Sequence, residues 1–251
     1  MNALTLLILG ALQGLLEWLP VSSQGMLTII ITLMGESAST AIDYALFLHA
    51  GTMLSALVYY RKEFKDMLTK KVLFKFVFIT TLITGLIGGA LYFVVKGLSE
   101  SIGAGLIAVV GAALIVTGAL QLKKKKSGLR KEPTTKDAVI TGLAQGFSII
   151  PGISRSGTTT SMLLFSGFNG LTALKLSFIL SVPVVLVADI GLGLLDSPVI
   201  TWDGALGLVA SFIVGLASIK VLMNVAKRVN FGKFCIVMGA ITMLSLLTII
   251  L

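Results

Sequence analysis

Between Ala144 and Thr160 the chain reads AQGFSIIPGISRSGTTT, and polar side chains gather there around an interruption in apolar sequence. Pro151 lacks a backbone donor and Gly152 tolerates turn geometry, so one helix is expected to stop and another to start just beyond them. Free N–H groups at that helix start, the helix dipole and the Arg155 guanidinium together suit an anion, phosphate above all. The candidate anion ligands are Ser154, Arg155, Ser156, Gly157 and Thr158. A second polar cluster lies at residues 13 to 25, QGLLEWLPVSSQG, with Gln13, Glu17, Ser22 and Ser23. A carboxylate beside an anion site makes chemical sense as a base or as a metal ligand, and a serine next to it as a nucleophile. The residue types alone allow phosphoryl transfer and anion transport equally, since both need this pocket.

These clusters sit in a chain that is 56% apolar and only 12% charged, with a mean hydropathy of +1.01. That composition excludes a soluble domain and indicates a polytopic helical membrane protein, 1–251 as a single membrane domain. One cysteine, Cys235, excludes an intramolecular disulfide and a Cys-based zinc cluster. The N-terminus, MNALTLLILGALQG, has no positive leader and no clear cleavage site, so no removed signal peptide is expected.

The elements that must position the clusters follow from the apolar runs. Residues 3–34 are broken by Gln13, Glu17, Pro20, Ser22, Ser23, Gln24 and Gly25, and a helix–break–helix hairpin entering and leaving on one side fits them better than a straight span. Three spanning stretches follow at 43–61, 73–96 and 103–122, since roughly 20 apolar residues cross the hydrocarbon core. Gly85, Gly88, Gly89, Gly103, Gly105 and Gly111 read as close helix packing. The stretch 123–137, with Lys123 to Lys126, Arg130, Lys131 and Pro133, reads as a solvated basic linker. Residues 138–168 then repeat the broken pattern, and spans at 172–195, 204–226 and 231–251 complete the chain. The expectation is an all-α integral membrane protein with six transmembrane helices and two re-entrant hairpins.

Sidedness comes from Lys and Arg. The regions 61–75, 123–136 and 220–233 hold all of the 20 basic residues except Lys96, Arg155 and Lys175, and should be cytoplasmic. Glu36, Asp43, Glu100, Asp196 and Asp203 mark the opposite ends. This distribution accounts for the net charge of +9 without a nucleic-acid partner. It also places the N-terminus outside and makes the two hairpins enter from opposite faces. Residues 1–122 and 138–251 then form an inverted-topology repeat. At an offset of 132 residues Gln13 matches Gln145, Gly14 matches Gly146, Ser22 matches Ser154 and Gly25 matches Gly157. Inverted repeats put their polar site near the midplane, where broken helices meet. Arg155 alone could instead snorkel to the cytoplasmic surface while the serines cap helices, but the paired arrangement argues for a central site.

PGISRSG at 151–157, after QG at 145–146, resembles the second signature of the undecaprenyl-diphosphate phosphatases of the BacA/UppP type, the bacitracin resistance proteins. EWLPVSSQG at 17–25 looks like their first signature, and LHAGTMLSALVYYRKE at 48–63 resembles their next helix and basic loop. The resemblance covers essentially the whole chain. It implies a hydrolase of the cell membrane that removes the terminal phosphate of a polyprenyl diphosphate to recycle a lipid carrier, with its site open to the outer face. It implies a divalent cation, magnesium or calcium, with Glu17 as metal or base residue. It also implies Ser22 and Ser23 as the hydroxyl pair with Ser23 the favoured nucleophile, and Ser154 with Arg155 as the phosphate-binding pair. Membrane lipids and a second copy of the chain are the further partners considered.

Two positions depart from that family's usual pattern. Gln13 stands where an acid is usual, four residues before Glu17, and Met26 stands where a histidine follows the SSxG glycine. An amide weakens cation binding and Met cannot transfer a proton, so this protein must use another group, is slow, or is no longer a phosphatase. His49, the only histidine, lies in the first spanning helix and matches Ser181 in the repeat. Its expected role is packing or hydrogen bonding between helices, with approach to the pocket as the alternative. Lys175 reads as an interfacial snorkeller, and Asp189, inside the fourth span, lines the cavity or lies near the outer surface. The competing functions are a lipid-phosphate flippase or anion transporter using the same pocket, and a protein that only sequesters the lipid diphosphate.

Overall fold

The structure is a computed structural model that describes residues 1–19, 21–102, 106–122, 130, 132–195, 200–226 and 231–245. The described residues form eleven α-helices and no β-strand. In chain order they are α1 (Ala3–Leu16), α2 (Ser23–Leu33), α3 (Ala38–Tyr59), α4 (Arg61–Thr69), α5 (Lys71–Ile102), α6 (Leu106–Leu122), α7 (Thr135–Gly146), α8 (Arg155–Phe165), α9 (Gly170–Leu195), α10 (Trp202–Ala226) and α11 (Phe231–Ser245). Four contain stretches long and apolar enough to cross a membrane: Ala38–Tyr59, Lys71–Leu98, Gly170–Gly191 and Trp202–Val221. The chain is therefore an all-α, multi-pass membrane protein. The expected spans 103–122 and 231–251 are described only as the shorter helices α6 and α11.

Both expected interruptions are present. In the first half α1 stops at Leu16 and α2 starts at Ser23. Pro20, the residue expected to cause that break, lies outside the described residues. In the second half α7 passes through a 3₁₀ turn, Phe147–Ile149, before Pro151 and Gly152, and α8 begins at Arg155. Gly152 has φ +100°, and a Cβ there would lie 2.5 Å from the Val110 carbonyl oxygen, so only glycine fits this turn. Each new helix is capped by a serine at matching repeat positions. Ser22 Oγ accepts from Gly25 N–H and Ser154 Oγ from Gly157 N–H, both at 3.1 Å.

The two breaks also hold each other. Ser22 Oγ accepts from Gly152 N–H at 3.1 Å, and Ser154 Oγ donates to the Val21 carbonyl at 3.0 Å. Ser156 Oγ donates to the Leu19 carbonyl at 3.2 Å. Backbone that left its helix would otherwise be unpaired in an apolar interior, which is costly. Here each break satisfies the polar groups of the other. The flanking helices exchange partners in the same way: α1 packs on α10 of the second half, α7 on α5 of the first, and α6 on α11. Small residues permit this approach. A Cβ on Gly10 would sit 2.0 Å from the Gly207 carbonyl oxygen, and one on Gly239 2.6 Å from that of Gly111.

Other charged groups pair at the helix ends. Lys96 bridges Asp43 at 3.1 Å and the N-terminal ammonium approaches Glu36 at 3.7 Å. Lys175, expected to snorkel, has its ammonium 2.9 Å from Glu63 and about half exposed. The basic stretch 61–75 departs from expectation, because Arg61–Thr69 is helical rather than loop. Its polar surface is exposed while Phe64 and Met67 pack on the core, which a helix allows and an extended loop does not. The basic linker needs a second correction. Arg130 is not freely solvated: its guanidinium bonds both Asp137 oxygens, at 2.6 and 3.2 Å, and the Ser166 carbonyl at 2.8 Å. Pro133 is buried, and α7 already begins at Thr135 behind a Thr134–Asp137 capping box. Burial pushes the Asp137 carboxyl up, but the Thr134 hydroxyl and N–H and the Arg130 guanidinium outweigh it and hold the group below the ordinary aspartate range. Lys123 to Lys126 and Lys131, like Gly103, Gly105, Asp196, Lys227 and Arg228, lie outside the described residues.

Candidate active site

At the end of α1, Glu17 is the last residue held by a helical hydrogen bond, its N–H donating to the Gln13 carbonyl at 3.0 Å. The next residue locks this end in place. Trp18 is fully buried, donates its indole N–H to the Gly215 carbonyl at 3.0 Å and meets Phe178 edge to face. The Glu17 carboxylate therefore projects from a rigid helix end, 5% exposed, into the space between the two breaks.

Three donors converge on it, with the His49 ring beside them. Arg155 donates from Nη2 to Glu17 Oε1. Gln13 Nε2 and Ser23 Oγ donate to Oε2 at 2.9 and 2.8 Å, and His49 Nε2 lies 3.2 Å from the same oxygen. A buried carboxylate survives only with such compensation. Arg155 is the first residue of α8, and its guanidinium is 12% exposed and further held by the Ser177 carbonyl at 3.3 Å. A guanidinium so enclosed and paired across the breaks is not snorkelling to a surface.

The resulting site is one cavity of about 200 Å³. Glu17, Ser22, Ser23, Ser154, Arg155 and Ser156 line it, together with His49 and Asp189. The N-termini of α2 and α8 both face the breaks, and the first-turn N–H groups of a helix have no acceptor within it. Two positive helix ends and a guanidinium make an anion site, with a hydroxyl and a carboxylate at its edge. The flank of the cavity is apolar, formed by Gly85, Gly89 and Phe93 of α5 and Val184, Val187 and Ala188 of α9. Gly89, Phe93 and Val187 are exposed, so this flank reaches the outside of the helix bundle.

The two serines of the first break differ in what they do. Both acceptor directions of Ser22 Oγ are taken, by Gly25 and Gly152, so it ties the breaks together. Ser23 instead points to Glu17 and His49, with His49 Nε2 at 3.3 Å. Of the other expected residues, Gln13 is fully buried behind Glu17, donating also to Thr52 at 3.4 Å, and is not a lining residue. Gly157 and Thr158 lie in the first turns of α8 behind the lining residues, and the buried Thr158 hydroxyl has no partner. Met26 is one turn into α2, half-buried and not among the lining residues. Sequence reasoning assigned nothing to Ser177 or Thr52, which support the site through a backbone carbonyl and a hydroxyl. A carbonyl carries no sequence signal, and a threonine in a membrane helix is too common to mark a site.

The family resemblance implies a divalent cation at Glu17. As placed, that carboxylate has no free oxygen, since Arg155 takes one and Gln13, Ser23 and His49 crowd the other. Among the described residues no group of three or more His, Cys, Asp or Glu could hold a metal ion. The donor set therefore does not fit a cation held by Glu17. Asp189 is the carboxylate in this cavity whose two oxygens are buried without a hydrogen-bond partner.

Comparison with known proteins gives one consistent result. The model of the family described as "Bacitracin resistance protein BacA" matches residues 6–242. A Methanothrix thermoacetophila protein named undecaprenyl-diphosphatase is 44% identical, over 97% of this chain and 96% of its own length. Proteins of the same name from Methanopyrus kandleri and Methanococcoides burtonii are 41% and 40% identical, each over 96% of this chain and 94% and 97% of their own lengths.

Proposed function

The chain belongs to the bacitracin resistance protein BacA family, and from that premise we propose that it is an undecaprenyl-type polyprenyl-diphosphate phosphatase. The observation that carries the reading is a serine hydroxyl held 2.8 Å from a buried carboxylate, whose other oxygen is paired with a guanidinium at the start of a helix. A carrier or flippase needs the guanidinium and helix ends but has no use for a poised hydroxyl. Its relatives' names also favour hydrolysis.

In this mechanism the terminal phosphate docks against Arg155 and the first-turn N–H groups of α8, where charge that spreads over its oxygens in the transition state is stabilised. Glu17 orients Ser23. The Ser23 oxygen forms a bond to the terminal phosphorus and the bond to the bridging oxygen breaks, so the polyprenyl monophosphate leaves with the electron pair and a proton. Water then attacks the phosphoserine, releasing inorganic phosphate and returning the proton to Ser23. The prenyl chain lies along the apolar flank between α5 and α9 and leaves toward lipid past Gly89 and Val187. A divalent cation is proposed to arrive on the diphosphate rather than reside on Glu17.

The membrane arrangement proposed with it is six spans and two re-entrant hairpins, α1–α2 and α7–α8, in halves 1–122 and 138–251 of opposite orientation. The exchanged packing of α1 on α10 and α7 on α5 supports that reading. The protein would sit in the cytoplasmic membrane with its N-terminus outside, its cavity open to the outer face and a second copy of the chain as partner. Phosphate release from a polyprenyl diphosphate by purified protein tests the function. Release that disappears in Arg155→Ala is expected, and no release with magnesium, calcium or manganese overturns it.

A further inference from the structure

We propose that His49 is the general base that activates Ser23, a catalytic role taken up from α3 in a chain whose first hairpin has no histidine. The proposal rests on the phosphatase reading above and deepens it. Two groups lie within reach of the Ser23 hydroxyl: Glu17 Oε2 at 2.8 Å and His49 Nε2 at 3.3 Å. Arg155 holds Glu17 Oε1, and Oε2 accepts from Gln13 as well as from Ser23, so the carboxylate positions the hydroxyl and His49 Nε2 is the other group in reach of it.

The imidazole is set up differently. Its Nδ1 lies 2.6 Å from the Ala45 carbonyl oxygen, one turn earlier on α3. A carbonyl can only accept, so Nδ1 carries the hydrogen, and in the neutral ring the lone pair is on Nε2. Nε2 itself lies 3.3 Å from Ser23 Oγ and 3.2 Å from Glu17 Oε2, placed to take the hydroxyl proton beside the carboxylate. The helix backbone thus fixes both the ring's orientation and its tautomer, the task that a separate orienting group performs in other serine–histidine sites.

The proton balance closes around this nitrogen. As Ser23 Oγ bonds to the terminal phosphorus, its proton passes to Nε2, and the imidazolium faces Glu17 Oε2 at 3.2 Å, which stabilises it. The proton then passes to the departing polyprenyl phosphate as the bridging P–O bond breaks. In the second half-reaction Nε2 takes a proton from the attacking water and returns it to the Ser23 oxygen as inorganic phosphate leaves. Asp189 and Arg155 also face this end of the cavity. Neither makes a hydrogen bond to His49 among the described contacts.

The test compares His49→Asn with wild type. Asparagine can keep the donor to the Ala45 carbonyl while removing the base at Nε2. The expected result is a loss of phosphate release of about 100-fold or more, with the Kd for a non-hydrolysable short-chain polyprenyl methylenediphosphonate within about threefold of wild type. If His49→Asn fails to accumulate in membranes, His49→Gln fills the same volume without a base and carries the same expectation. Release at close to the wild-type rate overturns the assignment. So does a loss matched by an equal loss of analogue binding. These outcomes leave the phosphatase reading intact, whereas absence of release from wild type ends that reading itself.

Discussion

The two breaks share a backbone and differ in chemistry. Each ends one helix and starts another with a capping serine, Ser22 or Ser154, and each cap reaches across to the other break. Their side chains carry opposite charges. The first break presents Glu17 and the Ser23 hydroxyl, and the second presents Arg155 and the start of α8. Neither half would be stable alone in an apolar interior, because Glu17 or Arg155 would be a buried unpaired charge. The difference teaches that two similarly built breaks can present opposite chemistry, a carboxylate with a hydroxyl on one side and a guanidinium at a helix start on the other.

The largest expected effect is on the first break. Ser23→Ala should lower phosphate release by at least about 10⁴-fold if Ser23 is the nucleophile, and Ser22→Ala should retain measurable turnover in membranes. A residual rate for Ser23→Ala within about tenfold of wild type would mean that water attacks directly, and the contrast between these serines would collapse. The next effect couples the breaks. Arg155→Ala leaves Glu17 buried without its cation, a cost of about 3–5 kcal/mol. Adding Glu17→Gln to it should recover much of the lost thermal stability although turnover stays absent. Melting of the single and double variants in detergent checks this, and strictly additive losses would break the pairing argument.

A smaller effect tests the shared frame itself. Ser22→Ala and Ser154→Ala each remove a helix cap and a hydrogen bond between the breaks, so each should cost about 1–3 kcal/mol and the two costs should be similar. A cost confined to one of them would show that the frame is not used equally.

The smallest effect lies outside the comparison and serves as its control. Asp137 is held below its ordinary value, so its pairing with Thr134 and Arg130 stabilises the fold above the unfolded aspartate pKa of about 4. That contribution is lost as pH falls through the lower folded value. Asp137→Ala should therefore cost about 1–2 kcal/mol near neutral pH and almost nothing in strong acid, with phosphate release nearly unchanged at neutral pH. A cost that persists in acid would reject the ionic account.

Much of the site was legible as composition against background. Arg155 and Glu17 are charges in apolar runs, and Pro151–Gly152 marks where backbone must leave its helix. Ser22 and Ser154, 132 residues apart in the sequence, both cap the helix that follows a break. Ser23 was favoured over Ser22 only through the family resemblance, since adjacent residues of one type differ physically only in the direction that the new helix gives them. His49 was expected to pack between helices, because one histidine in a spanning helix says nothing about which face it occupies. Arg130 was read with its lysine neighbours as solvated, since its partner Asp137 and the Phe168 ring, 5.0 Å away, come together only on folding.

By itself the sequence determined that this is an all-helical membrane chain with two broken segments. Hydropathy, proline and glycine chemistry and the cost of buried charge are local or compositional, and they read directly from residue types. Only the tertiary structure decided that the breaks interlock, that Glu17 pairs with Arg155 across them, and that His49 Nε2 stands 3.3 Å from the Ser23 hydroxyl. Those facts depend on the direction of side chains on helices far apart in sequence. That direction is set by how glycine-lined faces such as Gly10 on Gly207 and Gly14 on Gly215 pack, which no local pattern records.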